Sequence, residues 1–113
     1  MKRLALAVLL LLPLAVAFGA GQAEESDTIT IGAILDLSGP TSVWGNAVAN
    51  GAQLAVDELN ADGGIDGRPV ELKVYDVKLS PQEAITAYNR LVDQDRATAV
   101  VGPPISNIGL SIA

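Results

Sequence analysis

Segments with the pattern of buried strands alternate three times with segments of helical pattern, and this alternation constrains the fold more than any other feature. The strand patterns cover residues 28–36, 70–75 and 97–101, and the helix patterns cover residues 46–62, 81–93 and 108–113. Such an order implies a parallel sheet whose strands are joined by right-handed helical crossovers. We therefore predict an α/β fold, the amino-terminal part of a doubly wound parallel-sheet lobe.

The order of the strands decides where a ligand could bind. The third strand can be placed on either side of the first, and we expect the order 2-1-3, which puts the first strand in the middle. The loops after the first and third strands, residues 37–45 and 102–107, would then face each other across one crevice. Open α/β sheets bind their ligands in such a crevice, outside the carboxyl ends of the strands.

The helix patterns also carry boundary and packing signals. Ser80 as N-cap, Pro81 at the first helical position and Glu83 three residues after the cap predict the start of the second helix. Each of the first two helices has apolar residues at helical spacing, which we expect to be buried. These residues are Val48, Ala52, Ala55 and Leu59 in the first helix, and Ala84, Ile85, Tyr88, Leu91 and Val92 in the second.

The composition excludes several classes of function. The 113-residue chain has no cysteine and no histidine, which excludes a Ser-His-Asp triad, a cysteine nucleophile, a disulfide and the usual zinc sites. Its net charge of -6 argues against nucleic acid as a partner, because phosphate contacts need clustered Lys and Arg. The sequence has no phosphate-binding fingerprint, and no acidic pair precedes Asp36, as a phosphoacceptor aspartate would require. We predict no catalysis, no metal and no cofactor.

Residues 1–23 have the composition of a secretory signal peptide, with a basic head before an apolar run. The run contains a proline and is too short for a membrane span, which needs about 20 apolar residues. Cleavage could follow Ala17 or Ala23. Because no cysteine is available to carry a lipid, we predict a soluble exported protein, periplasmic in a bacterium with two membranes. Residues 24–113 would form an incomplete amino-terminal ligand-binding lobe, with the second lobe beyond Ala113.

Two residues in the facing loops stand out. Trp44 is the only tryptophan, and it either staples its loop onto the first helix or forms an aromatic wall for a ligand. Ser106 lies near the start of the third helix, where backbone amides favour an anion such as a carboxylate. Ser106 could also be simply the N-cap of that helix, and Asn107 is an equally good cap candidate.

Two long stretches carry a resemblance to a known family. The first is LSGPTSVWGNAVANGAQLAVDELNADGGIDGRPVEL at residues 37–72, and the second is SPQEAITAYNRLVDQDRATAVVGPPIS at residues 80–106. Together they resemble the amino-terminal part of solute-binding proteins of branched-chain amino acid ABC importers. The resemblance implies the type I periplasmic binding fold, in which a ligand is held between two hinged lobes.

The resemblance also implies roles for individual residues. Trp44 matches the aromatic or variable pocket position of the family, and Ser106 matches the serine that holds the ligand carboxylate. Pro104 and Ile105 match residues whose backbone lines the site. Val77 replaces a commonly acidic residue, a departure that we assign to a surface turn. The residues that bind the amino group of the ligand would lie beyond Ala113.

These features predict a periplasmic substrate-binding protein of an ABC importer. The expected ligand is a branched-chain amino acid or a related small amide or carboxylate, and the expected partner is the membrane permease. The alternative is a sensory ligand-binding protein of the same fold that feeds a signalling receptor.

Overall fold

The computed structural model describes residues 27–113, which form three strands and three helices in strict alternation. The predicted signal peptide lies outside the described residues. The elements in chain order are β1 (Ile29–Leu35), α1 (Ser42–Ala61), β2 (Val70–Asp76), α2 (Pro81–Asp93), β3 (Ala99–Val101) and α3 (Ser106–Gly109).

The sheet is parallel and has the order β2-β1-β3, which confirms the predicted placement of the third strand. In the middle of β1, Ile31 pairs with Leu72 on one side and with Ala99 on the other. Ala33, Ile34 and Leu35 have no exposed surface. Since successive side chains of a strand point to opposite faces, both faces of β1 are covered. Because β1 and β3 are parallel and paired, their carboxyl ends are neighbours at one edge of the sheet.

The main hydrophobic core lies between β1, α2 and α3. Its largest fully buried side chains include Ile34, Leu91 and Ile108, and Ala84 and Ala87 complete the contact surface of α2. Leu91 packs closely over Gly32, and a side chain at position 32 would collide with the Leu91 side chain. The predicted N-cap is confirmed, because the Ser80 hydroxyl accepts the backbone N–H of Glu83 at 3.3 Å. The Ser80 backbone N–H donates to the Val77 carbonyl at 2.8 Å.

The structure corrects three details of the predicted packing. Tyr88 and Val92 are exposed, because the buried stripe of α2 follows Ala84, Ala87 and Leu91. Val77 is 1% exposed and belongs to the core, so its assignment to a surface turn was wrong. Its apolar side chain is buried beside α2 instead of meeting solvent.

The first helix begins earlier than predicted. It starts at Ser42, so Trp44 and Gly45 belong to its first turn and not to a loop that continues to residue 45. Its buried residues are Gly45 and Val56, whereas Ala55 and Leu59 are exposed. Gly45 abuts the backbone of Asp36, the residue directly after β1, and this contact fixes which side of the helix faces the sheet.

Candidate ligand-binding surface

An apolar cavity lies at the carboxyl edge of the sheet, between the first two turns of α1 and the loop after β3. It has a volume of about 490 Å³ and is open to solvent. We call its five lining residues the apolar wall: Trp44, Ala47, Val48, Pro104 and Ile105. All five side chains are apolar, so the surface suits an apolar group of a ligand and offers no charged partner.

The structure brings together three of the four residues that the sequence singled out. Trp44, Pro104 and Ile105 line the same cavity, although Trp44 and Pro104 are 60 residues apart in the chain. The Trp44 side chain is 67% exposed, so it does not staple the preceding loop onto the helix. Ser106 follows directly after the apolar wall but does not line it.

The carboxylate of Asp36 organises the turn that leads into α1. Asp36 is 3% exposed, and one of its oxygens accepts the backbone N–H of Gly39 at 2.7 Å. The other oxygen accepts both the backbone N–H of Thr41, at 2.8 Å, and the Thr41 hydroxyl, at 2.5 Å. Both oxygens of this buried side chain are therefore engaged by the turn.

Asp76, the last residue of β2, holds the beginning of the same loop. Its Oδ1 accepts the backbone N–H of Leu37 at 2.9 Å and that of Lys78 at 3.1 Å. Its Oδ2 accepts the Ser38 hydroxyl at 2.5 Å. We call residues 37–41 the anchored loop, because Asp76 binds Leu37 and Ser38 and Asp36 binds Gly39 and Thr41.

These hydrogen bonds lower the pKa of both carboxyl groups. For Asp36 the bond from the Thr41 hydroxyl has the largest effect, and burial and the charge of Asp76 oppose it in part. For Asp76 the bond from the Ser38 hydroxyl has the largest effect, again opposed by burial. Donors that bind a carboxylate favour its ionised form. Both groups are thus ionised at neutral pH and act only as acceptors.

The start of α3 differs from the prediction. The helix covers only Ser106–Gly109, and its N-cap is Ile105, whose side chain makes no capping hydrogen bond. Ser106 is therefore the first helical residue and not the cap, and Asn107 follows it inside the helix. The Ile105 carbonyl accepts the backbone N–H groups of Ile108 and Gly109. Among residues 27–113, no acceptor binds the amides of Ser106 and Asn107, which both point out of the helix start.

Four residues of this region were missed by sequence reasoning. Ala47 and Val48 line the apolar wall, and α1 starts four residues earlier than predicted. The sequence pattern assigns Val48 only to a buried face. From the sequence alone, Asp36 is considered only as a phosphoacceptor, and no role is assigned to Asp76. An aspartate that ends a strand pattern and is followed by Leu-Ser-Gly-Pro-Thr has the spacing of a turn-capping acceptor, and this signal could have identified Asp36.

A family model described as periplasmic binding protein matches residues 28–113. The chain belongs to this family.

Named relatives support the same assignment. The chain is 42% identical over 85 residues to the Leu/Ile/Val-binding protein BraC3 of Rhizobium johnstonii. This match covers 75% of this chain and 23% of that protein. It is 35% identical over 99 residues to the Leu/Ile/Val-binding protein homolog 3 of Brucella melitensis, covering 88% of this chain and 26% of that protein. The chain thus spans about a quarter of the length of these periplasmic binding proteins.

A solved structure of the family has the same arrangement of elements. The branched-chain amino acid transporter substrate binding protein LivJ of Streptococcus pneumoniae, in complex with isoleucine, superposes with a TM-score of 0.73 at 44% identity. The match covers 75% of this chain and 24% of that one. The α/β sheet described above is therefore part of a type I periplasmic binding fold.

A second, larger cavity lies at the opposite, amino edge of the sheet. Its volume is about 750 Å³, and charged and polar side chains of both signs line it. Arg68 and Asp27 form an exposed ion pair there at 3.2 Å, as expected of a solvated surface.

Within residues 27–113, no group of acidic, histidine or cysteine side chains is arranged to hold a metal ion. No helix in this range has the length and apolarity needed to cross a membrane.

Proposed function

We propose that this protein is the periplasmic substrate-binding component of an ABC importer and that its ligand is an aliphatic, branched-chain amino acid. The observation that carries the proposal is the apolar wall beside the start of α3. A purely apolar surface and a pair of outward-pointing amides lie next to each other, at the edge of the sheet where this fold places ligands. An amino acid with an apolar side chain has both complementary parts.

The two parts of the surface would hold the two ends of the ligand differently. The apolar wall, with Trp44 at its exposed end, would pack against the aliphatic side chain, and burying such a side chain contributes about 1.5–3 kcal/mol. The amides of Ser106 and Asn107, with the Ser106 hydroxyl, would donate hydrogen bonds to the ligand carboxylate. The amino group would be bound by residues outside this chain.

The relatives support the choice of ligand and partner. Proteins with 35–42% identity are named for leucine, isoleucine and valine, and the solved relative is described as a transporter component in complex with isoleucine. Ligand binding would close the two lobes around the cleft, and the closed form would be the one that the permease recognises. No catalytic step is part of this proposal.

Calorimetric titration of the full-length protein tests the proposed function. We expect saturable binding of one L-isoleucine, L-leucine or L-valine per protein and no binding of L-aspartate or L-lysine, because the apolar wall offers no partner for a charged side chain. L-Isoleucinamide, which lacks the carboxylate, should bind much more weakly. Failure to bind any of the three aliphatic amino acids would refute the proposal, and equal binding of L-isoleucinamide would refute the role of the α3 amides.

A further inference from the structure

The helix that carries Trp44 lacks the usual stabilisation of its first turn. Its N-cap is Thr41, yet the Thr41 side chain makes no capping hydrogen bond, and the first turn contains no acidic residue. The Thr41 hydroxyl donates instead to the buried carboxylate of Asp36. The negative charge that favours a helix N-terminus is thus supplied by Asp36, from the end of β1.

A short path of hydrogen bonds joins this carboxylate to the apolar wall. Asp36 binds both the backbone N–H and the hydroxyl of Thr41, and the Thr41 carbonyl accepts the backbone N–H of Trp44 at 3.0 Å. The same carbonyl accepts the N–H of Gly45 at 3.2 Å. Any shift of Thr41 therefore moves the backbone from which the Trp44 side chain projects.

The other end of the anchored loop is held separately. Asp76 binds Leu37 and Ser38, and the Asn46 side chain donates to the Leu37 carbonyl at 3.0 Å from the second turn of α1. The anchored loop is consequently fixed to β1, to β2 and to α1. These bonds hold the start of α1 against β1 and β2. Because β3 pairs with β1, the loop after β3, which supplies the rest of the apolar wall, starts from the same sheet.

We propose that Asp36 is a positioning residue of the binding surface, which sets the orientation of Trp44 by holding Thr41, and that Asp76 supports it from the other end of the anchored loop. This inference rests on the proposed function for its effect on ligand binding, but its structural part is independent of any ligand. Both oxygens of Asp36 accept backbone N–H groups. An asparagine has only one acceptor oxygen, so Asp36→Asn would place an NH₂ group against one of these donors.

The test uses the full-length protein labelled with fluorotryptophan, in which the fluorine NMR signal of Trp44 is assigned by its loss in Trp44→Phe. We expect Asp36→Asn to move the Trp44 signal in the ligand-free protein and to raise the Kd for L-isoleucine at least tenfold. The matched control is Asp95→Asn. Asp95 also accepts a tertiary hydrogen bond, from the Tyr75 hydroxyl at 2.7 Å, but it lines the cavity at the amino edge. The Asp95→Asn substitution should change neither the Trp44 signal nor the Kd for L-isoleucine.

A second variant keeps the test decisive if Asp36→Asn does not fold. Thr41→Val removes only the hydroxyl donor and leaves the backbone N–H of Thr41 in place, so we expect a smaller shift of the Trp44 signal with a smaller rise in Kd. The inference is overturned if a folded Asp36→Asn protein has the wild-type Trp44 signal and Kd, or if Asp95→Asn changes both to the same extent. If Asp36→Asn does not fold, an unchanged Trp44 signal in Thr41→Val overturns the inference that Asp36 positions Trp44.

The ligand-free signal separates this inference from the proposed function. If Asp36→Asn and Thr41→Val move the Trp44 signal but the wild-type protein binds no aliphatic amino acid, Asp36 positions Trp44 and the proposed ligand class is wrong. If the wild-type protein binds L-isoleucine and neither variant moves the Trp44 signal, the proposed function stands and the positioning role is wrong.

Discussion

Gly45 on the first turn of α1 packs directly against the backbone carbonyl of Asp36, leaving no space for a side chain between helix and strand. The contact brings the start of α1 within reach of the Asp36 carboxylate, which binds Gly39 and Thr41 in the same turn. Helix and strand are thus joined twice, by backbone packing and by hydrogen bonds. The position of the apolar wall depends on this junction.

Gly45→Ala should destabilise the protein, because the added methyl group meets backbone atoms that cannot rotate away. Overpacking of this kind costs roughly 1–3 kcal/mol, measured as a fall in the free energy of unfolding in urea. Gly51→Ala is the matched control in the same helix, where a side chain would have no neighbour within 4 Å. It should stabilise the protein by up to about 1 kcal/mol, since alanine is the better helix former. Equal effects of the two substitutions would contradict the proposed role of the junction.

Trp44→Ala should weaken binding of L-isoleucine at least tenfold in calorimetry, which corresponds to about 1.4 kcal/mol. The expectation follows from the apolar surface that the indole contributes to the apolar wall. The neighbouring Val43 is 78% exposed and does not line the cavity, so Val43→Ala should leave the Kd within about twofold of the wild type. An equal loss in both variants would indicate a general effect on α1.

Leu91→Ala should cost about 2–5 kcal/mol of unfolding free energy, because Leu91 is fully buried over Gly32 and its truncation leaves a cavity. Val92→Ala removes a side chain of similar chemistry from the next position of α2, where it is 45% exposed. That change should stay within about 0.5 kcal/mol. Urea denaturation of both variants checks the difference. A small cost for Leu91→Ala would mean that α2 does not pack on β1 as described.

Acid should weaken the anchored loop. Because the pKa values of Asp36 and Asp76 lie below the ordinary value of 3.8 in the folded protein, their ionised forms stabilise the fold. This stabilisation is complete above pH 3.8 and is lost as the pH falls through the lower, folded-state pKa values. The difference in stability between the wild type and Asp36→Asn should therefore shrink below pH 3.8. A difference that is the same at pH 6 and pH 2.5 would contradict this account.

Signals within a few residues of each other predicted most of the fold. The order of strands and helices follows from local periodicity, and the start of α2 follows from Ser80, Pro81 and Glu83, whose capping chemistry is local. The placement of β3 beside β1 needed a topological rule, and the structure confirms it.

Contacts between distant residues account for what the sequence did not predict. Gly45 looked like a loop glycine, but it is required by the backbone of Asp36. Val77 looked like part of a turn, yet it is buried in the core beside α2. Ser106 looked like a helix cap, although the chain enters α3 through Ile105. The ligand-binding roles stay predictions for Trp44, Pro104, Ile105 and Ser106.

Titration of the fluorotryptophan-labelled, full-length protein with L-isoleucine is the most direct test of whether an aliphatic side chain binds at the apolar wall. The account predicts that the Trp44 signal moves to a saturating value, with the same Kd as calorimetry gives. It predicts no such movement with L-lysine. Saturable binding of L-isoleucine that leaves the Trp44 signal unmoved would contradict the account.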